Sequence, residues 1–353
     1  MRAPWTPSAG RPPLSVLLGA EYPAPELIRL GKLAEELGYE CFWYVDYRMQ
    51  RECYIGLASL AMSTQRIRLA TGVTDPYSRH PAITAAAIGT LDELSNGRAV
   101  LGLGLGGTGF RELGLEKTLP VAALRESIGV IRRLLKGEEV TLEGKVISLS
   151  KGRLQFSPVQ DRIPVYIATQ GPQISRLSGE IADGVLIANV VSEPALEFYL
   201  RQIADGAAKA GCPSSDVGVN LRWEVFVSSD EAAAFHAMRR RLAQRLIAGY
   251  PHNWGVLKQL GVSVSAEFEG IAAKKDPALL DAATEALSMD VVNVSVLAGN
   301  AERVAATIAP LLRPEVTGVT IRPHACPGVG VDDVMRSFMR DVMPRAQRHL
   351  TVV

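Results

Sequence analysis

The run Arg98-Ala99-Val100-Leu101-Gly102-Leu103-Gly104-Leu105-Gly106-Gly107-Thr108-Gly109-Phe110 decides how this chain is read. It begins apolar and then carries five glycines. A buried parallel strand is apolar on both faces, and glycine lets the adjoining backbone pass close to another surface. Gly104, Gly106 and Gly109 also spell the G-x-G-x-x-G of a dinucleotide-binding turn. That turn needs a helix opening inside it and an acid about 20 residues later at the next strand tip. Here residues 110–119 are mixed and contain Gly114, the next regular helix pattern starts at Pro120, and Glu126 falls inside that helix. Three strand–helix units also precede the motif. The context therefore disfavours a Rossmann turn. Two readings stay open: a turn that only permits tight packing, and a loop at the mouth of a barrel beneath a flat ligand.

The same rhythm extends outward in both directions. Residues 14–19, 41–45, 67–72 and 98–103 are short apolar runs, with helical patterns at 25–37, 52–63 and 81–94 between them. Residues 120–136 form the most regular helix, with Leu124, Ile128, Ile131 and Leu135 on one stripe and Gly137 as its stop. Beyond it, strands are expected at 163–168, 184–187, 218–227 and 318–322. Helices are expected at 175–182, 194–210, 231–248, 301–312 and 331–349, the last bent or ended near Pro344. Residues 290–297 make one extra extended run.

Two stretches break the alternation. Residues 140–156 alternate around Glu143-Gly144 and Lys151-Gly152, as an inserted hairpin does. Chain order places it on the face away from the site. Residues 249–289 are irregular and form an excursion, the better candidate for a substrate lid. Strands alternating with helices mean a parallel sheet. Eight such pairs without a linker fit a closed (β/α)8 TIM barrel over residues 14–353, with an open doubly wound sheet as the rival.

Composition bounds the function. A chain of 353 residues with a formal net charge of +1 gives no electrostatic footprint for nucleic acid or an anionic membrane. No apolar stretch approaches the roughly 20 residues of a membrane span. The four cysteines show no C-x-x-C spacing, which fits a reducing compartment and no metal site. Residues 1–13 are rich in proline and small residues and lack the apolar core of a signal peptide, so a flexible lead-in and a cytoplasmic protein are expected.

In such a barrel the active face lies at the C-terminal strand ends. Those ends present Gly19, Ala20, Glu21 and Tyr22; Asp46, Tyr47 and Arg48; Gly72 to Asp75, Tyr77 and His80; and Gly104, Gly106 and Gly107. They continue with Ala168, Thr169, Gln170, Gly171 and Pro172; Ala188 and Asn189; Ser228, or Asn300 if the run at 290–297 is the seventh strand; and Arg322, Pro323 and His324. The set contains no Ser/His/Asp arrangement and no metal-ligand cluster. Glu21, Asp46 and His80 are the candidate catalytic groups, each with a bland alternative: a solvated carboxylate for the acids, a helix cap for the histidine. A site that offers shape rather than reactive groups implies a bound cofactor that brings the chemistry.

The residues 71–84, Thr-Gly-Val-Thr-Asp-Pro-Tyr-Ser-Arg-His-Pro-Ala-Ile-Thr, resemble the third strand tip of the luciferase-like flavin oxidoreductases. So do residues 85–98, Leu101-Gly102-Leu103-Gly104 and residues 179–185, and within that family the chain is most similar to the methylenetetrahydromethanopterin reductase branch. The resemblance covers residues 14–348. It implies a bacterial-luciferase-like (β/α)8 barrel that holds F420 or FMN, with a cis peptide at Gly72-Val73. By the same resemblance Gly72, Val73 and Thr74 buttress the ring. Gly104, Gly106 and Gly107 lie against ring and side chain, and Ala168 to Pro172 hold the phosphate at a helix N-terminus. Asp46-Tyr47-Arg48 departs from the sugar phosphate dehydrogenases of the family, which carry a histidine beside that acid. Glu21 stands near the first-strand glutamate of the reductase branch.

The implied activity is hydride transfer between F420 or FMN and a small organic substrate. An FMN-dependent monooxygenase, fed by a separate flavin reductase, is the alternative. A non-catalytic flavin-binding protein is the alternative from another class. The family also implies a homodimer or tetramer.

Overall fold

The structure, a computed structural model, describes residues 12–351 except 108, 170, 251–253, 255, 256 and 258–260. The expected lead-in falls mainly outside the described residues.

Eight parallel strands close into a barrel. In chain order they are β1 (Leu14–Leu18), β2 (Cys41–Tyr44), β3 (Arg68–Thr71), β4 (Ala99–Leu103), β7 (Val165–Thr169), β8 (Gly184–Ala188), β9 (Gly218–Val227) and β11 (Gly318–Pro323). The sheet closes because β9 pairs with both β8 and β11. A short ninth strand, β10 (Leu297–Gly299), pairs with the upper end of β9. The hairpin strands β5 (Val140–Glu143) and β6 (Ser148–Gly152) form a separate antiparallel pair. Among the described residues no helix is long and apolar enough to cross a membrane.

Alternation along the strands sorts the residues into two cores. Phe42 and Tyr44 of β2 and Leu221, Trp223 and Val225 of β9 pack outward under the helices. Cys41, Trp43, Ala70, Val100, Tyr166 and Leu186 fill the interior, where Trp43 and Tyr166 meet edge to face at 5.8 Å. Tyr47, Val73 and Ala168 are half-buried on top of this inner core and form its upper surface. The interior faces of β9 and β11 are polar instead: Asn220, Arg222 and Glu224 alternate with the outward residues, and Thr320 donates to Asn220 at 2.8 Å.

Two expectations need correction, and one alternative of a third. Residues 290–297 are not an extended run. Met289–Asn293 is a short helix capped by Ser288, and only Leu297–Gly299 is strand. Val291 and Val292 are buried against the excursion, and that tertiary contact overrides their β-branched preference. Of the two readings at Pro344, bent or ended, the second does not hold: the chain stays helical past it. A π-helical turn at Phe338–Val342 precedes Met343–Thr351, and widening the turn accommodates the N–H that proline lacks. Nor does the hairpin stay at the far end. The Glu126 carboxylate accepts from the backbone N–H groups of Lys145, Val146 and Ile147, and Ser148 O lies 3.0 Å from His80 Nε2. His80 caps α3 (Pro81–Leu94), and Glu126 belongs to the early turns of α4 (Pro120–Leu135). The hairpin thus climbs the outside of both helices to the level of their N-termini.

Candidate active site

The loop after β3 supplies one wall of the barrel mouth. Its Gly72-Val73 peptide bond is cis. The Thr71 hydroxyl donates to Gly102 O at 2.8 Å and accepts from Gly102 N at 2.9 Å. Thr74 N then donates to Gly102 O, and Gly104 N donates to Thr74 O. A side chain on β4 would destroy this fit. A Cβ on Gly102 would come within 2.9 Å of both Trp43 and Val73, and one on Gly104 within 2.7 Å of Val73. The first glycines of the string therefore seat Val73, whose half-buried side chain faces the mouth. The Thr74 Oγ1 beside it is buried and has no hydrogen-bond partner among the described residues.

The later glycines have neighbours from the chain itself. Gly106 has a φ of +70°, and its missing Cβ would meet Phe110 and Arg48. Gly107 lies 3.4 Å from Tyr47 on the same measure. Phe110 sits between Arg48 and Lys117, each 4.7 Å from the ring centre, and Arg48 pairs with the buried Asp75. This clasp fastens the loop after β4 to those after β2 and β3.

The end of β7 is built to leave a helix N-terminus open. Thr169 Oγ1 accepts from Gly171 N at 3.2 Å and lies 3.1 Å from Ser175 Oγ. Gly171 is the N-cap of α5 (Pro172–Ile181), and among the described residues no side chain caps the helix. A Cβ on Gly171 would meet nothing within 4 Å among the described residues. Uncapped N–H groups at a helix start favour an anion through their partial positive charge. Ala168 and Thr169 end β7, and Gly171 and Pro172 open α5, while Gln170 lies outside the described residues. On the next strand end, Asn189 Oδ1 is also buried without a partner among the described residues.

Across the mouth stands a charged wall. The Glu224 carboxylate lies 2.5 Å from Arg222, 3.5 Å from Arg241 and 3.9 Å from Arg322, and it also meets Nε2 of His324. Burial alone would raise its pKa, but Arg222, Arg322 and His324 outweigh burial and hold it well below the ordinary carboxylate range. Burial lowers the pKa of His324, against the pull of Glu224, and its ring stacks on Phe226 at 4.7 Å. Arg322 also reaches Tyr47 at 3.4 Å and Glu21 at 3.7 Å.

The three candidate catalytic groups are scattered around the rim. Glu21 is half-exposed and folds back over Gly19, toward Arg322. Asp46 lies 3.9 Å from Arg79, which is bound more closely to Glu52. His80 accepts from Ala82 N through Nδ1 and contacts Ser148 O through Nε2, so both ring nitrogens are engaged in capping and in holding the hairpin. Reading strand tips alone missed Arg222 and Glu224, which lie inside β9, and Arg241 and Arg245 on α7 (Glu231–Gly249). The signal was present: charges at alternate positions of a strand whose other positions are apolar.

Comparison with known proteins bears on this arrangement. Residues 9–317 match the family model described as luciferase-like monooxygenase. A 5,10-methylenetetrahydromethanopterin reductase from Methanolobus tindarius is 37% identical over 257 residues, covering 72% of this chain and 77% of that protein. An F420-dependent glucose-6-phosphate dehydrogenase from Beutenbergia cavernae is 31% identical over 275 residues, with the same two shares. The solved coenzyme F420-dependent tetrahydromethanopterin reductase from Methanopyrus kandleri superposes with a TM-score of 0.82 at 28% identity, covering 95% of this chain and 99% of that one. With the closed barrel and its glycine-seated third loop, these matches lead to one conclusion: the chain belongs to the luciferase-like family.

Proposed function

We propose that this chain is an oxidoreductase that uses F420 or FMN to transfer hydride to or from a small organic substrate. One observation carries the reading: Val73, Ala168 and Tyr47 form an apolar floor, flanked by an open helix N-terminus on one side and an arginine wall on the other. Ligand sites are mostly apolar with a few placed polar groups, and this floor has that character. The Thr74 and Asn189 side-chain oxygens, which have no partner among the described residues, support a polar ligand there. The F420-dependent relatives favour the deazaflavin over FMN.

In this reading Val73 supports one face of the ring, with Gly72, Thr74 and Gly104 holding Val73 in place. Gly106 and Gly107 shape the loop beside the ring. Thr169, Gly171 and the first turn of α5 hold the phosphate, with Ala168, Gln170 and Pro172 forming the same turn. The bound ring supplies the two-electron chemistry. The protein orients the substrate over the ring's free face and excludes water. Glu21 and Asp46 are the rim carboxylates suited to hold a proton, whereas His80 serves the helix start and the hairpin. The excursion after α7 acts as a lid over the substrate side. The reading includes a cytoplasmic setting and a homodimer or tetramer. With FMN and oxygen it becomes a monooxygenase that needs a separate flavin reductase.

Titration of the purified protein with F420, FMN and NADPH, followed by fluorescence, tests this. Saturable binding of F420 is expected. Binding of FMN alone moves the assignment to the flavin and the monooxygenase. Binding of NADPH alone overturns it.

A further inference from the structure

The charged wall is out of balance. Arg222, Arg241, Arg245 and Arg322 gather around one buried carboxylate, Glu224, with Glu21 half-exposed at the edge. Arg222 and Arg322 are each about a tenth exposed at the side chain. Nη1 of Arg245 is buried and has no hydrogen-bond partner among the described residues. The pKa of Arg245 falls to about 10 because burial removes water, an effect that Glu224 opposes and the other three arginines reinforce. His324 and Tyr47 face the same cluster and supply no carboxylate. Buried charges are ordinarily paired one for one, and guanidinium groups are shaped to grip the paired oxygens of a carboxylate or phosphate. Among the described residues, four guanidinium groups face one buried carboxylate and the half-exposed Glu21, which leaves positive charge in excess and room for an anion.

The topology says where that anion would lie. In the closed ring β11-β1-β2-β3-β4-β7-β8-β9, the strand four places from β3 is β9. Arg222 and Glu224 on β9 therefore face the Val73 loop across the barrel. Helix α7 contributes Arg241 and Arg245 to the same side. The helix start at Gly171 is a separate anion site on another strand end.

We propose that Arg222, Arg241, Arg245 and Arg322 form a subsite for an anionic group of the substrate, a phosphate or carboxylate, held across the mouth from Val73. This deepens the proposed function and rests on it for the word substrate. The other source of the same chemistry is an acidic group of the cofactor itself.

The test uses the purified full chain, with inorganic phosphate as the probe, read by calorimetry in the presence of saturating F420 or FMN. Cofactor affinity is measured separately by fluorescence. Wild type is expected to bind phosphate at least tenfold more tightly than R245Q or R241Q, with R245K intermediate and cofactor affinity unchanged in all. Tightness should fall as salt rises. Equal phosphate affinity in wild type and both glutamine variants overturns the proposal. So does a matching loss of cofactor affinity in R245Q, which assigns the arginines to the cofactor. If neither coenzyme binds wild type yet phosphate still distinguishes it from R245Q, the redox reading fails and the anion subsite stands.

Discussion

Replacing Glu224 by glutamine removes the counter-charge around which the mouth is organised. The Glu224 side chain is 2% exposed and lies within 4 Å of three guanidinium groups. Removing one partner of a buried ion pair costs about 3–5 kcal/mol, because the remaining charges stay buried without compensation. Glutamine keeps a carbonyl that Arg222 can donate to, and Arg241 is a third exposed, so water screens part of the repulsion. The expected loss for E224Q therefore sits near the lower bound, roughly 3 kcal/mol. Denaturant unfolding of both proteins, compared at a shared slope, measures it. Added inorganic phosphate should restore part of the loss, since it supplies the missing anion. The acid side gives a second reading. Glu224 has a folded pKa well below its ordinary 4.5, so its stabilisation is present above that value and is lost as pH falls through the folded pKa. The E224Q deficit should thus shrink in acid. A loss below about 1 kcal/mol at neutral pH, the size of an exposed salt bridge, would refute this account of the wall.

Two further substitutions probe the opposite side of the mouth. Gly171 has extended backbone with open space at its Cβ, so G171V should fold with stability within about 0.5 kcal/mol of wild type and yet bind cofactor at least tenfold more weakly. Unchanged cofactor affinity by fluorescence would remove the α5 N-terminus from the site. At Gly102 a methyl group would strike Thr71 O, Trp43 and Val73, so G102A should lose about 1–3 kcal/mol in denaturant unfolding.

Local patterning revealed the barrel because parallel strands buried on both faces read as short apolar runs between helical stretches. Residues 110–119, where no helix opens, keep the glycine string out of the Rossmann class. Its first members seat Val73, a contact between β4 and the loop after β3 that no single run of sequence displays. The error at 290–297 has a similar origin: Val291 and Val292 look extended locally, but burial against the excursion makes them helical. His80 before Pro81 was legible as a cap, while its contact with Ser148 depends on how far the inserted hairpin climbs. The arginine wall was half legible. Asn220, Arg222 and Glu224 alternate with Leu221, Trp223 and Val225, which marks a strand with a polar inner face. That Arg241 and Arg245, one helical turn apart, converge on the same carboxylate depends on how α7 packs over the mouth.

Where the ring sits is read most directly from a crystal structure of the full chain grown with F420 or FMN. Density is expected for a fused ring against Val73 and Ala168, with its phosphate at the Gly171 end of α5 and its free face turned toward Arg222 and Arg245. A ring bound elsewhere, or a phosphate seated among the arginines with the α5 N-terminus vacant, would contradict this placement.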